Sequence, residues 1–104
     1  MAVVIKQQTD MRPSEVLRVH QEAIKEAVRV HGMENPRVFG SVVRGTDTPQ
    51  SDLDLLVTVP SGAALGFLLL GEYLSDQLGI RVDVVSENGL RGSYREILDE
   101  AVPL

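Results

Sequence analysis

A Gly-Ser pair and three aspartates are the residues with which this sequence could do chemistry. Gly40-Ser41 follows Val38 and Phe39, and after ten intervening residues Asp52-Leu53-Asp54 opens the apolar run Leu55-Leu56-Val57-Thr58-Val59. A strand has a side-chain period of two, so Asp52 and Asp54 point to one face while Leu53, Leu55 and Val57 point to the other. Two carboxylates so close repel each other, and are tolerated when exposed or when a cation lies between them. Taken singly, an Asp-x-Asp is often a polar lead into a core strand, and Gly-Ser after a strand is often a turn. Together they describe a nucleotide site. The Gly lets backbone N–H groups approach phosphate oxygens, the Ser adds a hydroxyl donor, and the paired carboxylates hold the Mg²⁺ that bridges those phosphates.

The third aspartate interrupts the alternating, β-branched stretch Arg81-Val-Asp-Val-Val-Ser86, which reads as a strand. A charge in the middle of such a strand is costly without a partner. If this strand runs parallel to the one that begins at Asp52, with a crossover helix between them, the two strand starts lie at the same end of the sheet. Asp83 then approaches Asp52 and Asp54. The short return from Gly40-Ser41 makes the first strand antiparallel to the second and brings the Gly-Ser turn to that end too. The alternative for Asp83 is an edge-strand charge facing water.

The supporting elements follow in chain order. Met1 to Met11 is open between a tail and a short edge strand. A helix begins near Pro13 or Ser14, carries Val16, Leu17, Ala23, Ile24, Ala27 and Val28 at helical spacing, and stops at Gly32. His20 and His31 lie about three turns apart on it and cannot share one metal ion. They read as surface or helix-end residues, His31 complementing the helix dipole. Asn35-Pro36 breaks the helix, Arg37-Val38-Phe39 forms the first strand, and Val42 to Gln50 makes a short helical turn and a loop. Within that return, Arg44 is either a phosphate contact or an ion-pair partner of a carboxylate on the site's face, and Ser51 either orients Asp52 or starts the strand.

Pro60-Ser61-Gly62 ends the second strand, and Ala63 to Leu78 is a helix closed by Gly79. Leu65, Phe67, Leu68, Leu69, Leu70, Leu74 and Leu78 surround more of that helix than one stripe. A fully buried helix is difficult in so small a domain, which favours one side packed on the sheet and another meeting a neighbouring element or partner chain. After the Asn88-Gly89 turn, Leu90, Tyr94, Ile97, Leu98 and Ala101 form the stripe of a final amphipathic helix packed on the sheet. Tyr94 reads as a core-edge aromatic.

Gly40-Ser41, ten residues, then Asp52-x-Asp54, with Arg44-Gly45 and Ser51 in place, resembles the signature of the polymerase-beta-like nucleotidyltransferase superfamily. Within it the chain is most similar, over nearly its whole length, to the minimal nucleotidyltransferases, the MNT antitoxins of bacteria and archaea. The resemblance implies an α/β (α+β) fold with a small mixed sheet flanked by helices, and a third carboxylate at the position of Asp83. It implies that Asp52, Asp54 and Asp83 are the catalytic and metal-binding residues, holding Mg²⁺, ideally two ions about 3.5 to 4 Å apart. Gly40, Ser41, Arg44 and Ser51 would contact the nucleotide, ATP. It further implies a HEPN-domain toxin, a helical ribonuclease, as partner, neutralised by adenylylation of a tyrosine hydroxyl. Two other readings compete: a binding antitoxin that masks its toxin through the apolar helix, and a transferase acting on a small molecule such as an aminoglycoside. The second is disfavoured because 104 residues leave little room for a substrate-binding domain unless a dimer supplies it.

Composition agrees with one small globular domain spanning residues 1–104, of 43% hydrophobic and 24% charged residues. A formal net charge of -5 argues against direct DNA binding, which rests on clustered Lys and Arg. An acidic protein needs metal ions or a basic partner surface to approach a nucleotide, and homo- or hetero-oligomers are both compatible with the sequence. Cysteine is absent, which suits a reducing cytoplasm. The apolar start Met1 to Lys6 lacks the long core of a secretion signal. The apolar stretch Gly62 to Gly71 is far shorter than the roughly 18 residues needed to cross a bilayer, so a cytoplasmic protein without membrane contact is expected.

Overall fold

Short apolar runs pair into a sheet whose one face carries most of the core, with Leu56 and Phe39 buried on the other. In the computed structural model, which describes residues 11–89 and 95–104, these runs are β1 (Glu34–Phe39), β2 (Leu53–Thr58) and β3 (Val82–Ser86). With the short β4 (Val102–Pro103), they form, among the described residues, a four-stranded sheet of order β3-β2-β1-β4. β1 runs antiparallel to β2 and to β4, and β2 runs parallel to β3. The expected mixed α/β architecture, with its antiparallel first pair and parallel second pair, is therefore present.

The helices are α1 (Pro13–Val30), the single turn α2 (Ser41–Arg44), α3 (Ala64–Leu78) and α4 (Arg95–Glu100). α1 and α3 cover one face of the sheet. Val16, Ile24, Ala27 and Val28 from α1 and Leu70, Leu74 and Leu78 from α3 form one core with Val38, Leu53, Leu55, Val57 and Val82. α3 is the crossover that makes β2 and β3 parallel, and its glycine at position 66 lets it cross α1 closely. A methyl group on Gly66 would lie 2.0 Å from the His31 carbonyl oxygen.

Several boundaries differ from the sequence reading. β1 starts at Glu34, so Asn35-Pro36 lies within the strand and not before it. Asn35 adopts φ 53° where the register with β2 shifts between Glu34 and Arg37, a bulge that a residue tolerant of left-handed backbone can absorb. As expected of a helix whose apolar positions exceed one stripe, α3 leaves Leu65, Leu68 and Leu69 exposed, together with Tyr73. The final helix covers Arg95–Glu100, with Ile97 half-buried and Leu98 exposed, and the chain then enters β4 because Pro103 cannot extend a helix but can sit on an edge strand. Leu90 and Tyr94, and the open question of Met1 to Asp10, lie outside the described residues. His20 sits at a kink in α1, and His31 caps the helix with Nδ1 donating to the Ala27 carbonyl at 2.8 Å. Among the described residues no helix is long and apolar enough to cross a membrane.

The loop between α2 and β2 is stapled to the start of α1. Asp47 is 8% exposed, and its Oδ2 accepts the backbone N–H of Ser14 at 2.8 Å, satisfying a donor that the helix itself leaves unpaired. Ser14, a candidate N-cap by type, is thus capped from outside, while Glu15 accepts the Arg12 N–H at 2.8 Å. Replacing Asp47 with alanine should cost about 1–2 kcal/mol in urea unfolding, with an unchanged denaturant slope. A loss no larger than that of a surface substitution would show that this staple does not fasten the loop.

Candidate active site

The end of the sheet where β2 and β3 begin gathers the acidic residues. Because Asp54 pairs in register with Asp83, and Leu53 with Val82, the two aspartates stand side by side on the face opposite the core. Asp52 lies just ahead of β2, two residues from Asp54 and therefore on the same side. One carboxylate oxygen from each of Asp52, Asp54 and Asp83 lies within 4.8 Å of the others. All three are partly exposed, so a cation could reach them from solvent.

Arg81 is the residue the sequence reading passed over. It stands two positions before Asp83, and its Nε lies 3.6 Å from Asp52 Oδ2 and 3.7 Å from Asp83 Oδ1. The strand period that places Asp83 also places Arg81, so this signal is available in the sequence. Asp54 has no ion pair of this kind among the described residues. Its pKa is pushed up to about 6, first by burial, then by the charges of Asp83 and Asp52; Arg44 opposes the rise and Glu100 adds to it.

Gly40 is where the Gly-Ser turn meets the acidic cluster. Its backbone, at φ 82° and ψ -150°, is in a region essentially reserved for glycine. A Cβ there would stand 2.2 Å from Asp54 Oδ2. Glycine is thus required twice, for the turn and for the approach of the Asp54 carboxylate. Ser41 follows as the first residue of α2, and Arg44 is its last.

The Gly40 N–H and the Arg44 guanidinium converge on one anion, the carboxylate of Glu100 from α4. Gly40 N donates to Oε2 at 2.6 Å, and Arg44 Nη1 lies 2.9 and 3.2 Å from the two oxygens. Of the two sequence alternatives for Arg44, the ion pair is the one observed, although its acceptor is a residue that no local pattern singled out. Phe39, Gly40, Arg44, Asp54, Glu96, Ile97 and Glu100 line a cleft of about 240 Å³.

Ser51 does not start β2. Its Oγ accepts the Thr48 N–H at 2.9 Å, and its N–H donates to the Thr48 carbonyl at 2.9 Å. The side chain closes the turn that delivers Asp52, and it is outside the residues that line the cleft.

A profile of the nucleotidyltransferase domain family matches residues 18–104. The chain belongs to this family. It is 38% identical over 91 residues to the protein adenylyltransferase MntA of Thermococcus cleftensis, covering 84% of this chain and 87% of that protein. A solved structure of a candidate minimal nucleotidyltransferase superposes with a TM-score of 0.76 at 46% identity, over 88% of this chain and 95% of that one. A toxin–antitoxin complex with AMP-PNP shares the fold at a TM-score of 0.63 and 21% identity, over 77% of this chain and 68% of that one. The resemblance carried by the Gly40-to-Asp54 motif is therefore borne out at the level of family and fold.

The cluster's charge has a measurable sign. Asp54 binds its proton more tightly in the folded chain, about 6 against an ordinary 3.8, so it opposes folding above pH 6, and that penalty disappears as pH falls through the window from 6 to 4. With allowance for solvent screening, the penalty is about 1 kcal/mol. Asp54→Asn should therefore be more stable than the wild type by about that amount at pH 7.5 and indistinguishable from it at pH 4. Urea unfolding across the range checks this, and a variant less stable at pH 7.5 contradicts it.

Proposed function

We propose that the chain is a Mg²⁺-dependent adenylyltransferase that moves AMP from ATP to a hydroxyl of a partner protein. The observation that carries this reading is the junction at Gly40, where donors that hold an anion abut Asp54, one of three clustered carboxylates able to hold a cation. The Asp52, Asp54 and Asp83 oxygens suit a hard divalent ion. When bound, Mg²⁺ neutralises phosphate charge, which lets a triphosphate enter a site of this acidity.

The chain's own residues divide the remaining work. Gly40 N–H, Ser41 and Arg44 hold the β- and γ-phosphates, so that the acceptor hydroxyl meets the α-phosphorus in line with the departing pyrophosphate. A new oxygen–phosphorus bond forms to the acceptor as the bond to pyrophosphate breaks. Asp83, the more exposed of the pair flanking Arg81, takes the hydroxyl proton as general base. Arg81 holds Asp52 and Asp83 in this structure, and would be free to meet phosphate if a cation held those carboxylates instead.

For the acceptor, the reading is a tyrosine of a HEPN-domain toxin, with adenylylation as the antitoxin activity. The neighbouring toxin–antitoxin structures with AMP-PNP and of an MntA–HpeT pair support a toxin partner. The exposed Leu65, Leu68, Leu69 and Tyr73 on α3 favour a second reading, in which the chain neutralises a toxin by covering it.

The two readings separate in a transfer assay with α-phosphate-labelled ATP, Mg²⁺ and extract from the source cells. The wild type should label a discrete protein band, and Asp54→Asn should label it at least about 10²-fold more slowly. Mg²⁺-dependent labelling retained in Asp54→Asn would refute the assignment of the site. No labelling, with partner capture intact, would replace catalysis by masking.

A further inference from the structure

The cradle that a phosphate needs is already filled by a side chain of the same molecule. Glu100 ends α4, and both its carboxylate oxygens are held: Oε2 by the Gly40 N–H and by Arg44, Oε1 by Arg44. A guanidinium and a backbone N–H converging on one planar anion is also how proteins grip phosphate oxygens. The Glu100 side chain is only 23% exposed and lines the cleft beside Asp54. Its charge therefore adds to that of an already acidic site, and the two donors are what hold it there.

We propose that Glu100 is an intramolecular stand-in for a nucleotide phosphate, and that a polyphosphate chain must displace its carboxylate from Gly40 and Arg44 in order to bind. This inference rests on the nucleotidyltransferase reading above and adds to it a closed resting state. The fold lets the carboxylate leave without disturbing the sheet. β4 holds the chain immediately after Glu100 to β1, pairing Val102 with Val38 and Pro103 with Arg37. A turn of the Glu100 side chain, or a hinge of the six-residue α4 at Ala101, opens the cradle while the sheet stays paired. A weak anion cannot compete with a tethered carboxylate, whereas a polyphosphate that also brings its cation to the aspartates can. The contact thus selects for polyphosphates and keeps the cradle shut when none is present.

Calorimetric titration of the full chain at fixed Mg²⁺ tests this, with β,γ-imido-ATP, pyrophosphate and adenosine as probes. Glu100→Gln keeps an acceptor for the Gly40 N–H and removes the charge held by Arg44; Glu100→Ala removes both. Circular dichroism checks that each variant folds, and Glu100→Gln alone carries the test if the alanine variant does not. Both variants should bind the ATP analogue about tenfold more tightly than the wild type. Pyrophosphate should gain in the same proportion, and adenosine should not gain. Equal or weaker binding of the analogue by the variants overturns the stand-in and leaves the transferase reading intact. Unchanged affinity with lost AMP transfer also overturns it, and places Glu100 in the chemistry. If neither wild type nor variants bind the analogue, both the stand-in and the nucleotide reading fail.

Discussion

Mutual repulsion among Asp52, Asp54 and Asp83 is the constraint around which the rest of this structure is arranged. Two unit charges near the 4.8 Å limit of this cluster repel by roughly 3–4 kcal/mol at an effective dielectric of about 20. One exposed arginine recovers little of that, because exposed ion pairs contribute about 0–1 kcal/mol. Arg81 is shared between Asp52 and Asp83 at 3.6 and 3.7 Å, while burial first, and then the charges of Asp83 and Asp52, raise the pKa of Asp54. A fold that placed three carboxylates together for packing alone would be paying for nothing. Their arrangement makes physical sense as a seat for a cation.

The architecture can be read as the means of holding that cluster against its own repulsion. The parallel register of β2 and β3 sets Asp54 beside Asp83, and α3 enforces it by burying Leu70, Leu74 and Leu78 against the far face. The cost of charge at one face of the sheet is offset by apolar burial at the other, where each fully buried leucine contributes about 1.5–3 kcal/mol. Gly40 lets the Asp54 carboxylate approach the turn where the Cβ of any other residue would collide with it. The Asp47 staple to α1 fixes the loop whose length sets the spacing between the Gly-Ser turn and the aspartates. Stability is thus supplied on the side away from the carboxylates.

Much of this is legible in the sequence, because strand periodicity is a local property. Asp52 and Asp54 share a face by their spacing, and an aspartate inside Val82–Ser86 asks for a partner that the crossover connection provides. The same period would have exposed Arg81, which stands to Asp83 as Asp52 stands to Asp54. Glu100 was not legible. Its contact with Gly40 spans 60 residues and depends on β4 pairing with β1, which the helical spacing of Ile97, Leu98 and Ala101 conceals. Asp47 reads as loop by sequence, since nothing local indicates that its carboxylate reaches the N–H of Ser14. The bulge at Asn35 is hidden for a related reason: proline signals a break, but a left-handed asparagine lets the strand continue through it.

The central claim is that the three aspartates and the Gly40 turn form one composite site for a cation and a polyphosphate. A crystal structure of the chain grown with Mn²⁺ and a non-hydrolysable ATP analogue tests it most directly. The account predicts anomalous density bounded by Asp52, Asp54 and Asp83, with phosphate density within hydrogen-bonding distance of the Gly40 N–H and Arg81 withdrawn from the carboxylates. Metal and nucleotide bound elsewhere, with Arg81 still bridging Asp52 and Asp83, would contradict it.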